Sequence, residues 1–194
     1  MSNSDWRRHG DGDQAVDELL DAAGRAFATF GVARARMVDV ARVAGCSRAT
    51  LYRYFPDQES LHLAYVHRAT LRIANQLAAD DGAGAPDAIV ERILAGIAHV
   101  RADPLLAVWF EPENMAVPIA VSQSSTLLQS MSAGLIGELA EAPMEAGELE
   151  QRAGWMLRSI VMLLAMPGPD EEAERRMIER FVVPVIATPV RSRV

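Results

Sequence analysis

Lysine is absent from this chain: all nineteen of its basic residues are arginine. That absence excludes Schiff-base chemistry, a phosphate-loop lysine and a serine–lysine dyad. Cysteine is nearly absent as well. Cys46 stands alone, so an intrachain disulfide is impossible and a reducing compartment fits. Long apolar runs are missing too. The longest unbroken one, residues 160–166, falls far short of the ~20 residues that span a bilayer. The opening residues, Met1-Ser2-Asn3-Ser4-Asp5-Trp6, lack the apolar stretch of a signal peptide. The expected location is therefore the cytoplasm, with no membrane partner. No dinucleotide-binding glycine fingerprint, phosphate loop or nucleophile elbow appears.

Histidine is scarce, and its spacing limits metal chemistry. Glu59-x-x-His62 matches one half of a di-iron carboxylate site on a helix, with His67 on the same segment. A dinuclear bundle needs a second such pair, and neither His9 nor His99 has a Glu three residues before it. The five-residue step from His62 to His67 also misses the four-residue step of a zinc helix. No metal, cofactor or catalytic group is expected. A helical-bundle enzyme with a scattered constellation is the rival reading from another class.

What the chain does contain is a helix-turn-helix pattern at residues 40–55. Ala41 is small where two short helices cross, and Gly45 tolerates the positive φ of the turn between them. Val40, Ala44, Cys46 and Leu51 fall on the inward side. Ser47 is a good N-cap for the second helix. Its outer face carries Arg48, Thr50, Tyr52, Arg53 and Tyr54, donors that suit phosphates and base edges. The pattern points to double-stranded DNA.

Net charge at first argues otherwise, because a chain at −7 is repelled by a polyanion. The distribution resolves the conflict. Residues 31–53 hold five Arg (34, 36, 42, 48 and 53) against the single acid Asp39. From residue 76 onward nine Arg face seventeen Asp and Glu. The basic charge sits at the proposed reading head, and arginine suits bidentate contact with guanine and phosphate.

Residues 16–61 resemble the N-terminal domain of the TetR (tetracycline-repressor-like) family of transcriptional regulators. A first helix over 13–30 carries Val16, Leu19, Leu20, Ala23, Phe27 and Phe30 on one stripe, with Gly31 as its stop. Tyr52-Arg53-Tyr54-Phe55-Pro56 is the most telling segment, with Pro56 opening the next helix ahead of Asp57, Gln58 and Glu59. The resemblance implies that Arg48 and Thr50 approach base edges, that Tyr52 and Tyr54 bond phosphates, and that Ser47 and Ala49 lie against the DNA backbone. Arg53 belongs to the same face. Three positions depart from the family. Arg36 replaces a capping Thr, so the second helix must find another cap. Ala49 replaces a common Gly. Gln58 replaces a phosphate-contacting Lys, which removes one neutralising contact. These departures bear on the operator sequence more than on DNA binding itself; those at Arg36 and Gln58 are the only support for a second rival, a TetR-like interaction protein that has lost its DNA.

At 194 residues the chain can form one medium domain or two small ones. The expected organisation is all-α: a flexible arm over 1–12, in which Arg7 and Arg8 suit a minor groove, a three-helix DNA-binding domain over 13–56, and a helical ligand-binding and dimerisation domain over 57–194. Breakers divide the latter into helices near 57–79, 87–101, 105–110, 119–140, 148–166 and 170–187, with Pro184 kinking the last. Trp109, Phe110, Met115, Met131, Trp155, Met156 and Met162 are adaptable apolar side chains suited to a small hydrophobic effector. The final two helices offer Met156, Ile160, Leu164, Met177, Phe181 and Val185 for a homodimeric four-helix bundle, as TetR-like proteins use theirs. The implied function is a ligand-responsive repressor, released from a palindromic operator when the effector moves the fourth helix.

Overall fold

The computed structural model describes residues 12–80, 88–139 and 144–187. The expected flexible arm lies outside the described residues, apart from Gly12. Among the described residues every regular element is helical. In chain order these are α1 (Gly12–Phe30), α2 (Met37–Ala44), α3 (Arg48–Tyr54), α4 (Gln58–Asp80) and α5 (Ala88–Ala102). They continue with α6 (Pro104–Ala107), two 3-10 turns (Val108–Phe110 and Pro112–Asn114), α7 (Ala116–Ser124), α8 (Thr126–Leu139) and α9 (Ala146–Ala165). The end is α10 (Glu171–Met177), a π-helical turn (Ile178–Val182) and α11 (Val183–Ala187). No single described helix is long and apolar enough to cross a membrane.

Local chemistry accounts for most of these boundaries. α1 stops where Gly31 takes φ 81° and its amide donates to the Phe27 carbonyl at 2.9 Å. Gly45 takes φ 67° and lets the Cys46 amide reach back to Ala41 at 3.0 Å, closing α2. Pro56 does not open α4. Asp57 is the cap instead: its Oδ1 accepts the Ser60 amide at 2.7 Å while its own amide donates to Ser60 Oγ at 3.2 Å. Those bonds, the Ser60 amide first, hold the Asp57 carboxyl below its ordinary range. Asp103 caps α6 by accepting the Leu105 amide at 2.9 Å, with Pro104 at the first helical position.

Two expectations need correction. The single helix expected over 119–140 is two helices, α7 and α8, because Ser125 interrupts it. Ser125 is buried, and its Oγ accepts the Leu128 amide at 3.2 Å, capping a new helix rather than continuing the old one. The kink expected at Pro184 is taken up before it. The Val183 amide donates five residues back to Ile178, widening the turn ahead of a residue that has no amide of its own.

The chain divides into two compact units, and the division departs from a boundary at residue 57. The first comprises the residues up to Ala69 together with Asp103–Val121; the second comprises Thr70–Ala102 and the residues from Ser122 onward. An aromatic cluster explains why the segment 103–121 joins the N-terminal helices. Tyr65 and Trp109 stack with their planes 4° apart and centroids at 5.4 Å. Phe27 of α1 meets both edge-on, at 5.4 and 5.5 Å. Such pairs add about 0.5–1.5 kcal/mol each beyond area burial. Tyr65 Oη also donates to the Leu105 carbonyl at 3.2 Å.

The second unit is tied by two arginines, Arg101 and Arg152. Arg101 donates to both carboxylate oxygens of Glu174, at 2.8 and 2.7 Å, and to the Leu163 carbonyl at 2.9 Å. Glu174 also accepts the Gly168 amide at 2.8 Å, and these bonds, Arg101's first, hold its carboxyl below the usual range. Arg152, buried on α9, pairs with Glu148 and donates to the Ile186 carbonyl at 3.0 Å, fastening α11 to α9.

His62 completes the aromatic cluster, 5.2 Å from Phe27 and 5.4 Å from Trp109. Its Nε2 and the Trp109 Nε1 are buried without a hydrogen-bond partner among the described residues. Burial pushes its pKa down from 6.5 to about 4. The folded unit therefore holds His62 neutral where the unfolded chain already binds a proton. Stability is complete above pH 6.5 and falls as pH drops from 6.5 towards 4. The loss in that window amounts to roughly 3 kcal/mol. His62→Phe is expected to flatten this acid limb in urea titrations at successive pH values; an unchanged slope would remove His62 as its origin.

Candidate nucleic-acid interface

The interface is built on α3, a short helix that exposes one side and buries the other. Leu51 and Phe55 are buried, whereas Arg48, Ala49, Tyr52 and Arg53 are exposed. Ser47 caps the helix, its Oγ accepting the Thr50 amide at 3.0 Å. The same Oγ shares a hydrogen bond with Thr50 Oγ1 at 2.8 Å. Ser47 and Thr50 are both half-buried, so Thr50's hydroxyl is engaged locally rather than held out toward a base. Tyr54 is half-buried, and the Arg53 guanidinium lies over its ring at 5.1 Å, with Nη2 3.4 Å from Tyr54 Oη. Arg53 and Tyr54 thus present their polar ends as a pair.

Asp39 organises the rest of the basic face. It is buried, and it supplies the cap that α2 lacked: the Arg36 amide donates to Asp39 Oδ2 at 3.1 Å. Its two oxygens also meet Arg36 Nε at 3.4 Å and Arg42 Nη1 at 3.3 Å. The Arg36 amide is the largest influence holding its carboxyl below the ordinary range, with both guanidiniums assisting. Its contribution is present above the usual aspartate pKa and disappears as pH falls through the lowered one. Two of the five arginines are thus partly neutralised. Arg34 and Arg48 make no ion pair with any described residue.

Gln58 points elsewhere. Its Nε2 donates to the Ala35 carbonyl at 2.9 Å, so the side chain braces the turn before α2 and is not held out for a phosphate. Pattern reading gave Asp39, Arg34 and Asn114 no contact at the DNA interface. Only Asp39 carried a legible signal, since it stands three residues after the Arg36 cap position as in a capping box.

The seven residues expected at a ligand pocket are divided between the two units, three in the first and four in the second. Trp109 is buried in the first unit's aromatic cluster, and Phe110 and Met115 are half-buried in the same unit. In the second unit Met156 is buried, Met131 is half-buried, and Trp155 and Met162 are exposed on α9. The reason is helical phase: positions 155 and 162 share a face that turns away from 156. A cavity of about 290 Å³ lies instead among Leu94, Ala95, Ala98, Arg101 and the carboxylates Glu91, Asp170, Glu171 and Glu174. All four carboxylates are already engaged, Glu174 by Arg101, Glu91 and Glu171 by Arg175, and Asp170 by the Ala173 amide.

The same phase argument corrects the dimer face. Met156 and Leu164 are buried within their own subunit, and Ile160 is half-buried. Met177, Phe181 and Val185 do stand out, with Phe181 59% exposed, and Trp155, Met162 and Met166 stand out on α9.

Comparison with known proteins agrees with the geometry. Residues 19–65 match the family described as bacterial regulatory proteins, tetR family. An HTH-type transcriptional regulator of Mycobacterium tuberculosis (strain ATCC 25618 / H37Rv) is 36% identical over 188 residues, 96% of this chain and 92% of that protein. Another, from Mycobacterium bovis, is 30% identical over 149 residues, 76% of each. Among solved structures, the fatty acid degradation regulator FadR from Bacillus halodurans superposes with a TM-score of 0.56 at 13% identity, covering 89% of this chain and 98% of that one. A TetR-family regulator from Pectobacterium atrosepticum gives 0.52 at 20% identity, covering 85% and 88%. At those identities the structural likeness shows the fold alone.

Asp39→Asn keeps an acceptor for the Arg36 amide but frees two guanidiniums. It is expected to leave the melting temperature nearly unchanged and to steepen the salt dependence of duplex binding. Asp39→Ala should lower the melting temperature, because the cap goes too. Equal melting temperatures for the two variants would refute the capping role.

Proposed function

This chain belongs to the TetR family of bacterial transcriptional regulators, and from that premise we propose that it is a homodimeric repressor released from a palindromic operator by a small hydrophobic molecule. The observation that carries the reading is the exposed face of α3. Arg48, Tyr52 and Arg53 are exposed on a helix whose other side is anchored by Leu51 and Phe55. In this division of labour Arg48 reads a base edge, while Tyr52, Arg53 and Tyr54 hold phosphates, with Ser47, Ala49 and Arg36 beside the DNA backbone. One such helix offers few base contacts. Two, held about 34–36 Å apart by a dimer, engage successive major grooves.

The outward apolar side chains of the second unit support the dimer. Trp155, Met162, Met166, Met177 and Phe181 are each more than two-fifths exposed, on elements that pack against one another. Burying such a set against a two-fold copy removes it from water, at about 25 cal/mol per Å² of apolar surface. The effector is assigned to the second unit, whose interior of Ile93, Leu94, Ile97, Ile136, Met156 and Leu157 suits an apolar guest. α4 begins directly after the recognition helix and contributes residues to both units. It is the element through which effector binding changes the spacing of the recognition helices. A coupling of about 1–3 kcal/mol weakens operator binding by roughly 5–150-fold.

Selection of bound sequences from a random duplex pool tests the reading. A palindrome with half-sites one helical turn apart is expected, with affinity falling steeply as salt rises. An unstructured or single half-site motif would overturn the dimeric repressor. Arg48→Ala should cost about 1–3 kcal/mol on the selected site and relax one base position, whereas Tyr54→Phe should weaken all sequences alike. Identical sequence profiles for the two would contradict the assigned roles. Phe181→Glu should raise the dimer dissociation constant at least ~10-fold in sedimentation while leaving helicity intact; an unchanged dimer would move the interface elsewhere.

A further inference from the structure

We propose that Asn114 is a positioning residue for DNA binding, which holds Arg34 ready for a backbone phosphate through the amide of Ala33. The inference rests on the DNA-binding reading above and adds a contact that α3 does not supply. Arg34 lies in the turn between α1 and α2, exposed and without an ion pair to any described residue. Its two chain neighbours are both held by side chains from outside the turn. On one side the Ala33 amide donates to Asn114 Oδ1 at 3.1 Å; on the other the Ala35 carbonyl accepts from Gln58 Nε2 at 2.9 Å. The two peptides that flank Arg34 donate to the Gly31 carbonyl, at 3.2 and 2.9 Å, and the next peptide out on each side is the one that Asn114 or Gln58 holds, so the backbone around Arg34 is fixed from both ends.

Asn114 is built for this task. It is 1% exposed, and its amide group is used at both ends. While Oδ1 accepts from Ala33, Nδ2 donates to the Val108 carbonyl at 2.8 Å, and the backbone amide of Asn114 donates to Glu111 at 2.9 Å. A Cβ on Gly31 would lie 3.3 Å from the same Oδ1, so the side chain is wedged against the start of the turn. The contact spans 81 residues of sequence. It makes the 3-10 segment after α6 a direct support of the DNA-facing turn.

The choice of phosphate rather than base follows from position. In a helix-turn-helix the helix before the recognition helix crosses the DNA backbone, and Arg34 lies in the turn that leads into that helix, two residues ahead of its N-cap Arg36. Of Arg34, Arg36 and Arg42, the last two share Asp39 and Arg34 does not. A phosphate contact made from an ordered turn loses less conformational freedom than one made from a loose loop.

The test measures binding of the full chain to a short duplex of random sequence by fluorescence anisotropy across a salt series. Arg34→Ala should lower the slope of log affinity against log salt by about 0.9, the value for one phosphate, and weaken all sequences alike. Asn114→Ala should lower the slope part of the way, and should add nothing in an Arg34→Ala background. Gln58→Ala removes the opposite anchor without disturbing the buried segment, and should behave the same way even if Asn114→Ala fails to fold. Losses that simply add to that of Arg34→Ala, or anchors whose removal leaves the slope unchanged, would overturn the positioning role. A full slope for Arg34→Ala in a chain that binds DNA would overturn the phosphate contact alone. A wild-type chain that binds no duplex at any salt would overturn the DNA reading, and this inference with it.

Discussion

The first unit depends on the packing of four rings, Phe27, His62, Tyr65 and Trp109, which come from α1, α4 and the 3-10 turn after α6. These side chains are buried almost completely, and the DNA-binding region builds out from α1, with α2 packed on α1 and α3 on α2. Remove the cluster and α1 loses the surface against which its Leu19, Ala23 and Phe27 stripe closes. The cluster also recruits a distant stretch of chain into the reading head. That is why a boundary drawn at the end of the recognition helix misses the segment from Asp103 to Val121. Two nitrogens are left unpartnered inside it, and the neutral state of His62 is a consequence of that dryness.

Charge follows a second constraint. A basic patch on an acidic protein has to be kept separate from its own acids, and here it is, with a single carboxylate among five arginines. Asp39 is an economical exception. It closes the end of α2, where the family resemblance expected a hydroxyl, and it restrains two guanidiniums at the same time. Gln58 makes a comparable exchange. Where a lysine would extend to a phosphate, it turns inward to the Ala35 carbonyl and stabilises the turn. The departures at 36 and 58 therefore read as a different way of bracing the same helices, not as loss of the interface.

In the second unit the limiting factor is helical phase. The stripes Met177, Phe181, Val185 and Ile178, Val182, Ile186 are adjacent, both apolar, and both spaced in steps of four. Periodicity cannot say which of them faces inward. Packing against α8 and α9 selects the second, and the π-helical turn keeps it inward up to Pro184. Likewise Met156 and Trp155 are neighbours in sequence, about 100° apart around α9, yet one is buried and the other exposed.

By itself the sequence determined the all-α architecture, the helix-turn-helix and the recognition face, because those depend on local chemistry: Gly at positive φ, Ser at an N-cap, apolar residues at helical spacing. It also determined where the positive charge lies. The tertiary structure alone decided that Trp109 is a core ring of the first unit, that the apolar residues named for a pocket are divided between two units, and that Asn114 reaches Ala33. Each of those outcomes joins residues far apart in the chain, and no local preference encodes which distant partner a buried side chain will meet. Two helices meet through whichever of their faces fit each other best, and that fit is a property of the packed pair.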